Sequence, residues 1–182
     1  MKKGYTHIYT GEGKGKTSAA FGMALRACGA GMRVFIGQFV KGMEYHEILA
    51  VKKHHENIIV RQYGRDCFIV NAPTREDVAA AKRGLDEMRQ IIMEGNYDVV
   101  IMDEVNIALY YRLFEVQEVI ELIRGRPAHV ELVLTGRYAP EELFRYADLV
   151  SEIKEVKHYY DKGVDVRKGI EYSIHFKQTK KP

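Results

Sequence analysis

The chain has 182 residues, 46% of them hydrophobic, which is enough to bury a substantial core in one domain spanning 1–182. Lys plus Arg exceed Asp plus Glu by only 28 − 25 = 3, too small an excess to mark a nucleic-acid-binding surface. Cys28 and Cys67 stand in no metal-binding or CxxC spacing and no stretch is long and apolar enough to be a signal core or a bilayer span, so a reduced, cytoplasmic setting without a membrane partner is expected.

Short apolar runs alternate with helical patterns along the chain. A strand is predicted over about 5–9, then the glycine-rich loop TGEGKGKTS (10–18), then a helix over about 17–29 that Gly29 and Gly31 stop. A second strand over 33–38 leads into GQFVKGMEYHE, where Gly42 interrupts a loop or a helix start, and 58–63 is a further strand. The clearest helix runs over 74–95, with Thr74 as N-cap, Asp77 closing a capping box, Val78, Ala81, Leu85, Met88 and Ile92 on one face, and Gly95 at the end. YDVVIMDEVN is an apolar strand ending in two carboxylates, followed by helical patterns at about 106–111 and 115–124. VELVLTGR (130–137) is another buried-type strand, Pro140 starts a short helix, ADLVSEIKEV supplies the last parallel strand, and an edge strand is expected at 171–176. Continuous branched apolar strands are covered on both faces, which indicates an α/β fold with a mostly parallel central sheet.

The loop at 10–18 reads as a triphosphate cradle. Gly11, Gly13 and Gly15 let backbone N–H groups turn inward, a helix N-terminus begins at the same point, Lys16 supplies a cation, and Thr17 a hydroxyl for magnesium. Gly11 and Gly15 are separated by Glu12, Gly13 and Lys14 alone, one residue fewer than the usual P-loop spacing. A hairpin that only looks like a P-loop competes with a P-loop of altered register; the strand before, the helix after and the Gly15-Lys16-Thr17 ending favour the second. Asp103 and Glu104 sit at a strand's carboxyl end, where a carboxylate meets a P-loop magnesium. Arg137, in TGR, reads either as a phosphate clamp or as a surface arginine after a strand, and Lys41 occupies a similar position after the second strand. Lys157 and His158 beside Tyr159 and Tyr160 form a cluster able to cover a planar ligand, although each alone reads as surface packing. His54, His55 and Glu56 read as exposed residues.

Together TGEGKGKTSAAFG (10–22), GQFVKG (37–42), VVIMDEVN (99–106), LTGRYAPEEL (134–143), ADLVSEIKEVKH (147–158) and GIEY (169–172) resemble the P-loop ATP:cob(I)alamin, or corrinoid, adenosyltransferases over nearly the whole chain. The resemblance implies a RecA-like three-layer α/β/α P-loop NTPase fold and transfer of the 5′-deoxyadenosyl group of ATP to the Co(I) of a reduced corrinoid, with release of triphosphate. It implies that Gly11, Glu12, Gly13, Lys14, Gly15, Lys16, Thr17 and Ser18 cradle the triphosphate, that Lys16 and Glu104 serve catalysis, and that Thr17, Asp103 and Glu104 hold Mg2+. A homodimer served by a flavoprotein reductant in the cytoplasm is the corresponding expectation.

Three features depart from the family pattern. Glu12 stands where relatives commonly carry Asn; GRDCFIVNAPT replaces a Gly-Phe-Thr-Trp segment, leaving Phe68 as the nearest corrinoid-site aromatic; and the chain starts almost at its first strand, so closure over the site is expected from elsewhere, such as the C-terminal loop. The alternatives are a P-loop ATPase or kinase, in which Asp103 or Glu104 activates water or a hydroxyl, and a non-catalytic nucleotide- or corrinoid-binding regulator.

Overall fold

Strand β1 (Thr6–Thr10) buries Thr6, Ile8 and Thr10 and runs into the glycine loop, which hands over to α1 (Lys16–Gly29). The computed structural model describes residues 2–65, 69 and 72–171. The remaining elements are β2 (Val34–Gln38), α2 (His46–His54), β3 (Ile58–Gln62), α3 (Arg75–Glu94), β4 (Val99–Asp103), α4 (Val105–Tyr110), α5 (Val116–Gly125), β5 (Glu131–Thr135), α6 (Glu141–Phe144) and β6 (Leu149–Glu152). A 3-10 turn follows at Tyr159–Lys162.

The strands form one sheet in the order β3-β2-β4-β5-β1-β6. Every pairing is parallel, which sharpens the expectation of a mostly parallel sheet. Strand β5 lies between the strand that feeds the glycine loop and the strand that ends in Asp103, the RecA-like arrangement of a P-loop α/β fold. All residues of β2, β4 and β5 are buried, because helices cover both faces of these inner strands. The edge strands differ from expectation: β3 alternates and β6 is largely exposed, since each lacks a neighbour on one side.

Two apolar clusters flank the sheet. One gathers Ile8, Phe35, Leu85, Met88, Val100, Met102 and Leu122 under α3, α4 and α5; the other joins Ala20, Ala24, Ile36, Val51, Ile101 and Val133 under α1 and α2. Helix α3 forms as its sequence dictates: Asp77 N donates to the Thr74 hydroxyl, Thr74 N donates back to the Asp77 carboxylate, and Gly95 ends the helix in a left-handed conformation. Helix α2 is longer than the loop or helix start expected after Gly42; it has no side-chain cap and is held by burial of Ile48 and Val51. Except for Glu171, the edge strand expected at 171–176 lies outside the described residues, as do Phe68 and Cys67.

Candidate active site

The parallel order brings the carboxyl ends of β1, β2, β4 and β5 to one edge of the sheet, and the charged residues converge there. The glycine loop is braced from behind. Gly13 N donates to Ile153 O at 2.8 Å, and a Cβ on Gly13 would lie 2.8 Å from that same oxygen, so the loop's backbone packs directly on the segment after β6. Gly11 and Gly15 take positive φ values of 96° and 126°. Lys16 is buried and its ammonium donates to Gly11 O at 2.6 Å and Gly13 O at 2.8 Å, closing the loop around itself. Burial pulls the Lys16 pKa below the ordinary lysine value, against the opposing pull of Glu104.

Asp103 is the hub. Its Oδ1 accepts from the Thr17 hydroxyl at 3.0 Å and the Thr135 hydroxyl at 2.6 Å, and its Oδ2 accepts from Gln38 Nε2 and Lys41 Nζ, both at 3.0 Å. Lys41 also donates to the Thr17 hydroxyl at 3.0 Å and lies 3.5 Å from Glu104 Oε1. Burial opposes ionisation of both partners, but the Asp103 and Glu104 carboxylates hold the Lys41 pKa above its ordinary value. Lys41 and the Thr135, Lys41 and Gln38 hydrogen bonds likewise hold the Asp103 pKa below its usual range. Glu104 goes the other way: burial, with the neighbouring Asp103 charge, raises its pKa despite Lys41.

The backbone is strained at the same edge. Among the described residues four non-glycine residues have positive φ, and three of them, Val40 (62°), Glu104 (59°) and Tyr138 (58°), lie in the turns after β2, β4 and β5. Each such conformation costs on the order of 1–3 kcal/mol and clusters where function over-determines geometry. Asn106 secures the last of these turns, its Nδ2 donating to Gly136 O at 3.1 Å.

Among the other expected site residues, Ser18 and Arg137 line the cavity beside the loop. Arg137 Nε lies 3.7 Å from Glu12 Oε2, so the loop's carboxylate faces a guanidinium. That pair is half-exposed on both sides, a contribution of about 0–1 kcal/mol. Lys14 turns to the C-terminal segment, donating to Glu171 Oε1 at 2.7 Å and Tyr159 Oη at 2.9 Å. Tyr159 also hydrogen-bonds Glu171, and Arg167 pairs with the same carboxylate at 3.1 Å. The side chain of Arg167 holds the Glu171 pKa far below the usual carboxylate range. His158 lines the cavity and caps the 3-10 turn by accepting from Tyr160 N. Helix α2 ends at His54 with His55 as its cap.

The cavity has a volume of about 930 Å3. Its lining includes the phosphate-type cradle from Gly13 to Ser18 and the apolar and aromatic residues Val40, Tyr45, Ile69, Ile107 and Tyr111. Among the described residues no three His, Cys, Asp or Glu side chains converge as a metal cage. A hydroxyl and two carboxylates gathered around one ammonium are, however, the hard-oxygen set that suits magnesium shared with phosphates. Gln38 and Thr135 lie within the motifs GQFVKG and LTGRYAPEEL, which by themselves give neither residue a role, and the sequence places Lys41 only in a position like that of Arg137 after a strand.

The family description "ATP:corrinoid adenosyltransferase BtuR/CobO/CobP" matches residues 2–172. The chain belongs to the ATP:corrinoid adenosyltransferase family. It is 34% identical to the corrinoid adenosyltransferase of Sinorhizobium sp, over 94% of this chain and 81% of that protein. It is 34% identical to the corrinoid adenosyltransferase of Escherichia coli (strain K12) and 35% identical to the corrinoid adenosyltransferase CobA of Salmonella typhimurium, in each case over 94% of this chain and 87% of the relative. For a corrinoid adenosyltransferase, a cavity lined by both cationic and apolar side chains suits two chemically unlike substrates, which a water-attacking ATPase does not need.

Proposed function

We propose that the cradle at Gly11–Ser18 binds the triphosphate of ATP and that the apolar and aromatic lining of the same cavity receives the corrinoid, so that Co(I) attacks the ribose C5′. In that step a Co–C5′ bond forms and the bond from C5′ to the α-phosphate oxygen breaks. Both electrons of the new bond come from cobalt, and inorganic triphosphate leaves. The nucleophile carries no proton, so no residue need act as its base; the protein's work is positioning and stabilisation of the leaving group. The observation that carries this assignment is one cavity lined both by the glycine-loop cradle and by apolar and aromatic side chains.

Lys16 is placed to exchange its loop carbonyls for phosphate oxygens, and Arg137 to add a second cation. Magnesium, when bound, neutralises the triphosphate and lowers the free energy of its departure. Thr17 and Glu104 are the residues we assign to hold it; Asp103 already accepts four hydrogen bonds and acts by orienting Thr17 and Lys41. Phe68 is proposed as a corrinoid contact, by resemblance alone. We further infer a single domain over 1–182 and a cytoplasmic homodimer supplied with electrons by a flavoprotein. Among the described residues no helix is long and apolar enough to cross a membrane. The family assignment does not favour the ATPase, kinase or regulator readings.

The test is incubation with ATP, magnesium and chemically reduced cobalamin, following the corrin spectrum and identifying the phosphate product. Adenosylcobalamin with triphosphate is expected; ADP with phosphate, or binding without transfer, would refute the assignment. Lys16→Ala should lower kcat by about 10²–10³-fold. Near-normal turnover would remove Lys16 from the mechanism.

A further inference from the structure

The turn after β2 is strained and tightly packed around one residue. Val40, buried and β-branched, has a left-handed backbone, which such residues rarely adopt. The turn also lies backbone-to-backbone against the end of β3: a Cβ on Gly64 would stand 2.5 Å from Lys41 N, and one on Gly42 2.4 Å from the carbonyl carbon of Arg65. Gly64 N donates to Lys41 O at 3.2 Å, and Phe39 is wedged between Tyr63 and Phe114 at ring separations of 5.4 and 5.5 Å. This construction aims Lys41 at Thr17, Asp103 and Glu104, where its ammonium sits at 3.0, 3.0 and 3.5 Å.

A magnesium ion held by Thr17 and Glu104 needs oxygens that this ammonium already holds, and two cations cannot share them without strong repulsion. We propose that Lys41 is the resident cation of the metal site. It keeps Thr17 and the two carboxylates aligned between turnovers and yields its place when magnesium–ATP arrives, its ammonium passing to the triphosphate within the cavity that Lys41 and the glycine loop both line. Free divalent ions bind poorly because they bring no anion for the displaced ammonium; metal therefore enters with its nucleotide. The inference rests on magnesium–ATP binding at the glycine loop.

The test uses the full-length protein with 15N-labelled lysine. The Lys41 Nζ resonance, assigned by its loss in Lys41→Arg, should be sharp and shielded from solvent exchange in the protein without nucleotide. It should shift on addition of saturating magnesium–ATP, and not on addition of magnesium alone at the same concentration. A resonance unchanged by saturating magnesium–ATP overturns the proposal. If calorimetry detects no magnesium–ATP binding at all, the glycine-loop assignment fails, and this proposal with it. Titration of Mn2+ without nucleotide, read by electron paramagnetic resonance, gives the second arm. Lys41→Met should bind the free ion about tenfold or more tightly than the parent protein. Equal or weaker binding by a variant with native circular dichroism overturns the proposal, and if Lys41→Met does not fold the resonance experiment decides.

Discussion

Replacing Asp103 by Asn keeps the shape of the hub and removes its charge. The Asn carbonyl oxygen can still accept from Thr17 and Thr135, and Gln38 can turn its amide to suit, but the Asn NH2 then faces Lys41, which has no acceptor to offer. Lys41 is left with Glu104 at 3.5 Å as its remaining carboxylate, in a site where its side chain is 9% exposed and that of Asp103 is 0% exposed. Breaking a pair this buried costs about 3–5 kcal/mol. For a chain of this size that lowers the melting temperature by roughly 6–20 °C. Lys41→Met should also destabilise, while the double variant recovers part of the loss, giving a coupling energy on the order of 2–3 kcal/mol. Differential scanning calorimetry on the four proteins measures this. The folded-state pKa of Asp103 lies below its unfolded value, so its contribution is present above about pH 3.9 and is lost as pH falls through the folded pKa. The gap between parent and Asp103→Asn should therefore persist from neutral pH past pH ~4 and close only in stronger acid. A loss below about 1 kcal/mol, or strictly additive single variants, would refute the hub as a coupled buried pair.

Glu104→Gln should melt higher than the parent at pH 7 while losing adenosyl transfer. Its folded pKa is raised, so its stabilising contribution is present below about pH 4.3 and lost as pH rises through the folded value; equal melting at pH 7 would contradict this. Gly22→Ala, on an exposed face of α1 with nothing within 4 Å of the new Cβ, should stabilise by about 0.5–1 kcal/mol in denaturant titration. Gly13→Ala, whose Cβ would meet Ile153 O at 2.8 Å, should instead destabilise by about 1–3 kcal/mol and weaken ATP binding in calorimetry. Were the two alanine variants to behave alike, the close packing of the loop on the segment after β6 would be wrong.

Local chemistry was enough to read the alternation of strands and helices, the caps of α3 at Thr74, Asp77 and Gly95, and the glycine loop, because each depends on residues a few positions apart. The placement of Asp103 and Glu104 at a strand end was equally legible from an apolar run meeting two carboxylates. Sequence alone gives Lys41 a position like that of Arg137 after a strand, leaves Glu12 as a charge that departs from the family pattern, and puts Glu171 in the GIEY motif at the start of an expected edge strand. Only the tertiary structure decided them, because each depends on which strands are neighbours. With β2 beside β4, Lys41 and Gln38 meet Asp103; with β5 between β4 and β1, Thr135 and Arg137 reach Asp103 and Glu12; with β6 outside β1, the segment that follows it lies against the glycine loop. Strand order in a parallel sheet is set by long crossovers and the burial of whole faces, and no short spacing of residues encodes it.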